Sequence, residues 1–261
     1  MPATDALIDK VAAVAAEAGA LAMKSWRGDF EQWEKSPGDP VSTVDYAVDA
    51  LIKERLYAID PDAGWLSEET ADNAERLMRH RVWVVDPIDG TRDFVRGRRG
   101  WCVSIALVEG GRAVLGVLDA PARNEHWRAA VGQGVTRNGI AVRASTRTLI
   151  IGARVPADSL PKTDADLIAV EKPNSIALRI AMVAADEADL IATLRWGHEW
   201  DIAAAALIAE EAGAVVTDAK GAPIRYNSTK AEAFGVLASA RGIHAQAAER
   251  LAERAARLSL R

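Results

Sequence analysis

Trp83-Val84-Val85-Asp86-Pro87-Ile88-Asp89-Gly90-Thr91 is the stretch that decides the fold. Within nine residues an apolar run passes into two carboxylates, a proline, a glycine and a threonine. A short β-branched run bounded by turn formers is the signature of a buried strand, and residues 82–85 are predicted as one. Proline has no N–H to give to a ladder, so the strand is expected to end near Asp86. Gly90 and Thr91 suit a tight turn into a short helix. Both carboxylates then stand at the strand's carboxyl end, the edge where open α/β sheets bind ligands.

Upstream, residues 4–26 are Ala-rich, with Leu7, Val11, Val14, Ala18 and Leu21 at helical spacing. A short strand is expected over 32–35, before the breaker group Ser36-Pro37-Gly38-Asp39-Pro40. A second amphipathic helix runs to about residue 59, capped by Ser42 or Thr43, with Val44, Val48, Leu51, Ile52, Arg55 and Leu56 on its inner side. Asp45 falls in its first turn, where an Asp is most simply a helix-start residue. Trp65-Leu66-Ser67 reads as a strand end before Glu68-Glu69, and 70–78 as a short polar helix or loop.

Downstream, apolar runs at 102–108 and 113–118 flank Glu109-Gly110-Gly111-Arg112, a hairpin signal. A third antiparallel strand is expected at 125–130, and Asn138-Gly139 is a tight turn. Beyond Ser145 the character changes. Short strands at 149–152, 167–170, 190–194, 214–217 and 234–237 alternate with helices at 175–186, 202–212 and 242–258, with Gly213 at the favoured stop position. The chain thus reads as an α/β protein with an α+β N-terminal half. The expected subdomains are 1–144 and 145–261, with no repeat and no low-complexity linker between them.

The 261 residues are 49% apolar and 26% charged, ordinary for a globular protein able to bury a core without disulfides. Cys102 is alone, which excludes an internal disulfide and a cysteine-built metal site and fits a reducing compartment. Met1 to Asp5 lack a signal-peptide pattern, and no apolar run approaches the roughly 20 residues of a membrane helix. A cytoplasmic protein with no integral membrane contact is expected. The net charge of −5 and the absence of long Lys/Arg blocks argue against a nucleic-acid polymer as partner. Arg92, Arg96, Arg98 and Arg99 form a local basic cluster that fits a small anionic substrate, although Arg98 and Arg99 read equally well as a solvated loop.

Oxygen clusters are what hard divalent cations bind, and Mg²⁺ takes carboxylates, carbonyls, water and substrate phosphate. Asp86 and Asp89, three apart across a forced turn, can face one point, with the Ile88 carbonyl exposed beside them. Neither a Walker A pattern nor a Gly-x-Gly-x-x-Gly run occurs, and the spacing does not fit an EF-hand.

Asp86-Pro87-Ile88-Asp89-Gly90-Thr91 resembles the signature of the inositol monophosphatase superfamily of metal-dependent, lithium-sensitive phosphatases. Leu66-Ser67-Glu68-Glu69 resembles the family's acidic pair. Trp200-Asp201-Ile202-Ala203-Ala204, with Glu211-Ala212-Gly213 and Thr217-Asp218, resembles its second signature, and Asp45 stands at the place of a family Asp. The resemblance spans nearly the whole chain and implies the layered αβαβα sandwich of the inositol monophosphatase/fructose-1,6-bisphosphatase type.

It implies that Glu68, Asp86, the Ile88 carbonyl, Asp89 and Asp201 hold two or three Mg²⁺ ions. Most of these ligands lie in the first subdomain and Asp201 in the second. A metal pair about 3.5–4 Å apart polarises the phosphate, activates a water and stabilises the leaving oxygen. The resemblance also gives Thr91, oriented by Asp45, the task of positioning the attacking water, which displaces the simple helix-start reading of Asp45. The N–H groups of Gly90 and Thr91 would cradle the phosphate. A homodimer is implied as well.

The family acts on several small phosphorylated metabolites: inositol phosphates, fructose 1,6-bisphosphate, histidinol phosphate and 3′-phosphoadenosine 5′-phosphate. Leu66-Ser67-Glu68-Glu69 and Arg92-Asp93-Phe94 are similar to the bacterial 3′(2′),5′-bisphosphate nucleotidases. The inositol enzymes tend to carry an acid seven residues before the second-signature Asp, where this chain has Leu194. The expected substrate is therefore 3′-phosphoadenosine 5′-phosphate, a by-product of sulfate assimilation, with inositol 1-phosphate as the alternative. A metal-dependent nucleotide-binding regulatory protein is the non-enzymatic alternative. Arg92, Arg96 and Lys172 are candidates for a second phosphate. Lys172 precedes a predicted helix start, and Trp196, His198 and Glu199 are candidates to line the pocket.

Overall fold

A computed structural model describes residues 5–259. The reading of Met1 to Thr4 lies outside them. Helices α1 (Asp5–Ser25) and α2 (Thr43–Ile59) bracket a small hairpin of β1 (Gln32–Ser36) and β2 (Asp39–Ser42). Next come β3 (Gly64–Ser67), β4 (Arg81–Asp89), the short helix α3 (Thr91–Val95), β5 (Cys102–Glu109), β6 (Arg112–Ala120), β7 (Glu125–Ala130), β8 (Gly134–Arg137) and β9 (Ile140–Ala141). The second half holds β10 (Arg154–Pro156), β11 (Ile168–Val170), α4 (Ile176–Ala184), β12 (Leu190–His198), α5 (Ala203–Glu211), β13 (Val215–Thr217), β14 (Glu232–Ser239) and α6 (His244–Leu258).

Strands β3 to β9 form one seven-stranded sheet in sequence order; β3 runs parallel to β4 and every later pair is antiparallel. The central strands β4 and β5 read as near-continuous apolar runs because both of their faces are covered. Successive side chains point to opposite faces. Trp83 and Val85 of β4 and Val103, Ile105 and Leu107 of β5 pack with α1 and α2. Val82, Val84, Cys102, Ala106 and Val108 pack with α4 and α5. Ala203 to Ala209 of α5 are all buried, and the small side chains of Ala203 to Ala206 let the helix sit so close that a Cβ on Gly116 would lie 2.6 Å from the Ala204 carbonyl oxygen.

Beyond α4 and α5 lies a second sheet, of order β12-β14-β13, covered by α6. The layers are α1/α2, the large sheet, α4/α5, the small sheet and α6, the expected αβαβα sandwich. The small sheet is antiparallel throughout: β12 and β13, joined through α5, share a direction, but β14 inserts between them. One core cluster joins residues from both sides of position 144, with Val84, Leu118 and Trp127 packing alongside Leu178, Leu207 and Val236.

Two expectations need correction. Strand β4 does not end near Asp86 but continues to Asp89. Asp86 pairs with Ser104 and Asp89 with Cys102, so three steps on β4 match two on β5. Pro87 sits in this bulge, where an imino acid costs no ladder bond. The stretch 149–152 is a turn, not a strand. The Arg147 guanidinium donates to the carbonyls of Leu149 and Ile151, whose side chains are 67% and 68% exposed; only Ile150 is buried. The strand forms just beyond, as β10 paired with β11.

Candidate active site

Four chain segments converge at the carboxyl end of β4. The β4 bulge presents Asp86 and Asp89. Parallel pairing sets Ser67 beside Val85, and the Glu68 N–H extends the ladder to the Val85 carbonyl at 3.3 Å, bringing Glu68 level with Asp86. Asp201 stands just ahead of α5 and accepts from the His198 N–H at 3.3 Å. Asp45 enters from the first turn of α2. Its Oδ2 closes a capping box with Ser42, accepting from the backbone N–H at 2.9 Å and the hydroxyl at 2.6 Å, while Oδ1 faces the Thr91 hydroxyl at 3.3 Å. The helix-start reading of Asp45 and its proximity to Thr91 therefore hold together, one on each oxygen. Thr91 Oγ1 also lies 2.9 Å from the Ile88 carbonyl.

Asp89 is the most tightly held. Its Oδ2 accepts from the Ser175 hydroxyl at 2.6 Å and the Ala177 N–H at 2.7 Å, and Oδ1 from the Ile176 N–H at 3.3 Å, all at the start of α4. Gly90 makes the turn possible: φ is +95°, and a Cβ there would fall 2.6 Å from the Gly100 carbonyl oxygen and 2.9 Å from the Ser175 nitrogen.

Oxygens of Asp86, Asp89 and Asp201 lie within 4.8 Å of one another. Burial, then the charges of Glu68, Asp89 and Asp201, pushes the Asp86 carboxyl well above the usual range. Burial and the Asp89 charge do the same to Asp201. Burial raises Asp89 to about 6 although its hydrogen bonds oppose the shift. No Lys or Arg among the described residues forms an ion pair with any of the three. A carboxylate cluster this close, with no protein cation paired directly to it, has the donor chemistry a hard divalent cation requires. The residues present fit such an ion.

The cluster floors a cavity of about 650 Å³. Lys172, Arg92, Trp196 and His198 line it, as their sequence positions suggest, and Trp200 stacks on His198 with ring centroids 4.3 Å apart and planes 7° from parallel. Arg96 does not line it; it faces an adjoining groove beside Trp33 and Val95. Glu199 points away: fully buried, it accepts from the N–H groups of Asn227 at 2.5 Å and Ser228 at 3.0 Å and ties down that turn. Leu194 packs toward Leu237 and Phe234, leaving Thr193 and Arg195 to line the cavity.

Three lining cations escaped the sequence reading. Lys35, on the β1–β2 hairpin, pairs with Glu68 at 3.1 Å and Glu69 at 2.6 Å. Burial works against its charge, but the two carboxylates outweigh it and hold its ammonium above the usual range. Arg179 and Arg195 come from α4 and β12. A charged residue inside an otherwise apolar helix or strand was the available signal for both.

The comparisons with known proteins agree with this geometry. The profile of the inositol monophosphatase family matches residues 5–260. The chain is 33% identical over 239 residues to the 3′(2′),5′-bisphosphate nucleotidase CysQ of Escherichia coli K12, covering 87% of this chain and 96% of that protein. It is 36% identical over 205 residues to the Nus factor SuhB of Xylella fastidiosa, covering 72% of each. The solved IMPase of Thermotoga maritima superposes with a TM-score of 0.83 at 29% identity, over 98% of this chain and 100% of that one. A match that runs from the first helix into the last, on an architecture shared with solved relatives, means that this chain belongs to the inositol monophosphatase family, whose phosphatases hydrolyse phosphoric monoesters.

Proposed function

We propose that the protein is a Mg²⁺-dependent 3′(2′),5′-bisphosphate nucleotidase that removes the 3′-phosphate of 3′-phosphoadenosine 5′-phosphate. The observation that carries this reading is the contrast between floor and walls: carboxylates at the base, and Lys35, Arg92, Lys172, Arg179 and Arg195 around it. Lys35 and Lys172 are paired with carboxylates, so the surplus positive charge lies on Arg92, Arg179 and Arg195, more than one phosphate monoester needs, and a bisphosphate brings a second dianion for it. The stacked His198 and Trp200 rings add a flat aromatic surface suited to a purine. The similarity to E. coli CysQ supports the same substrate.

Glu68, Asp86, the Ile88 carbonyl, Asp89 and Asp201 would hold the cations. When bound, these would supply Lewis-acid polarisation of the phosphate and a lowered pKa for water. The chain's own groups do the rest. Thr91, fixed by Asp45 and Ile88, orients the attacking water. The N–H groups of Gly90 and Thr91 meet phosphate oxygens, as donors without intrahelical partners do. Lys172 and the arginines draw in and orient the anion.

Comparing kcat/KM for 3′-phosphoadenosine 5′-phosphate and inositol 1-phosphate with saturating Mg²⁺ tests the assignment. The bisphosphate should be strongly preferred; preference for inositol 1-phosphate overturns the nucleotide reading. Binding of both metal and nucleotide without phosphate release would point to a regulatory protein. Asp201→Asn, which alters one weakly bonded carboxylate, should keep the fold and lose turnover.

A further inference from the structure

The five cations around the cavity are not equivalent. Lys35 is held by Glu68 and Glu69. Arg92 donates to the Gly38 carbonyl, and Lys172 pairs with Asp158. Arg179 donates from Nε to the Pro173 carbonyl at 2.7 Å and from Nη2 to the Asn174 carbonyl at 2.5 Å; it is fixed in place without a carboxylate partner. Arg195 forms no ion pair and no side-chain hydrogen bond among the described residues. Burial and the nearby Arg195 charge both press on the charged form of Arg179, while Asp89 opposes them. Two guanidiniums of like sign are thus set on one wall, and no carboxylate bonds either of them.

This presentation is built into the fold. In the β12–β14 ladder Thr193 pairs with Val236 and Trp196 with Phe234, so β12 carries one extra residue between them. Bulges re-aim side chains. Here the bulge leaves Leu194 on the α6 side and sets Arg195 on the cavity wall with Thr193. The opposing strand accommodates it with Gly235, at φ +65°, where a Cβ would lie 2.1 Å from the Thr193 carbonyl oxygen. Arg179 approaches from the first turn of α4, whose start grips Asp89.

Once cations neutralise the acidic floor, Asp158 and Asp93 still favour the charge on Arg179 without bonding it, and no carboxylate among the described residues bonds either guanidinium. We propose that Arg179 and Arg195 form the subsite for a second, non-hydrolysed dianionic group of the substrate, which on the nucleotidase reading is the 5′-phosphate. Two planar guanidinium forks match phosphate oxygens in a way that scattered lysines do not. The subsite makes the enzyme select bisphosphates over monophosphates, and Leu194, on the other side of the strand, contributes nothing polar to that choice.

Two substrates that differ only in this group provide the test: 3′-phosphoadenosine 5′-phosphate and adenosine 3′-monophosphate, with Mg²⁺. Arg195→Ala should lower kcat/KM for the bisphosphate by at least about tenfold more than for the monophosphate, the scale of a lost charge-assisted hydrogen bond, mainly through KM. Arg195→Lys should recover part of the difference, and Arg179→Gln should repeat it. Because Arg179 also fixes the 173–174 turn, Arg195 is the decisive position. In titration calorimetry, adenosine 5′-monophosphate should bind Arg195→Ala at least about tenfold more weakly than the unaltered protein. Equal losses on both substrates, or none, overturn the subsite while a wild-type preference for the bisphosphate leaves the nucleotidase reading standing. A wild-type preference for the monophosphate or for inositol 1-phosphate overturns that reading, and the assigned ligand with it.

Discussion

The Ser175 hydroxyl donates to Asp89 at 2.6 Å, joining two residues 86 apart in sequence. The same oxygen accepts from the Leu178 N–H at 2.9 Å as the N-cap of α4. One side chain therefore starts a helix of the second half and orients a carboxylate of the first. Ser175→Ala should cost about 1–3 kcal/mol of stability, from the lost cap and the donor removed from a buried carboxylate. It should also weaken Mg²⁺ binding, because Asp89 loses the contact that fixes its rotamer. Urea unfolding and a Mg²⁺ titration read the two effects separately; unchanged values for both would mean that the helix and the site are not coupled.

The acidic cluster sets a pH dependence. Burial raises Asp45 and Asp89 to about 6 and Glu69 to about 7, with Lys35 opposing the shift at Glu69. A carboxyl whose folded pKa lies above its unfolded value of about 4 binds more protons in the folded state across that interval. Stability then falls as pH rises through it. Metal-free protein should therefore melt at a higher temperature near pH 5 than near pH 8. Added Mg²⁺ competes with those protons, so its increment in Tm should be larger at pH 8 than at pH 5. Calorimetric scans with and without Mg²⁺ at the two pH values check the order, and the reverse order would refute it.

Gly90 and Gly132 separate two costs of adding a methyl group. Both have positive φ, +95° and +74°, but a Cβ at Gly90 meets the Gly100 carbonyl oxygen at 2.6 Å and one at Gly132 meets nothing within 4 Å. Gly132→Ala should lose only the conformational term, about 1–2 kcal/mol. Gly90→Ala should lose clearly more and displace the turn that carries Asp89 and Thr91, so kcat falls with it. Urea midpoints of the two variants, compared under one condition, decide whether the close approach matters.

The fold was largely legible because its signals are local. The Val82–Val85 run, the Glu109-Gly110-Gly111-Arg112 hairpin and the Ser42 cap each need only neighbouring residues. The Asp86–Asp89 bulge was missed because Pro87 looks like a terminator until a partner strand supplies the slack. Leu149 and Ile151 misled because an apolar run says nothing about which side is covered. Asp86 and Asp89 came from their spacing across the turn, and Glu68 and Asp201 only from the resemblance of their motifs to the family's. Lys35, Arg179 and Arg195 came from neither: Arg195 faces the cavity through a bulge in β12 that depends on Gly235, 40 residues later, and no periodicity in the strand encodes it. Glu199 lay next to the signature in sequence yet points to Asn227 and Ser228, since a reversal of the chain there separates adjacent side chains.

Thr91 and Asp45 supply the last prediction. The Thr91 hydroxyl has one proton and two acceptors in reach, the Ile88 carbonyl at 2.9 Å and Asp45 Oδ1 at 3.3 Å. If Ile88 turns its carbonyl to a cation, Asp45 becomes the acceptor that remains, and the hydroxyl's lone pairs are then aimed into the cavity toward water. Asp45 serves this role as a carboxylate, and it is pushed up to about 6, so the rate should fall on the acid side of neutrality. Thr91→Ala should lower kcat by about 10²–10⁴ with little change in KM, the range for losing a positioned proton-transfer group. Thr91→Ser should keep most of the activity, since it keeps the hydroxyl. Asp45→Asn should also be impaired, and because the two residues act as one unit the double variant should be no slower than the worse single one. Losses that multiply instead would show that Asp45 acts through its capping box on α2 and not through Thr91.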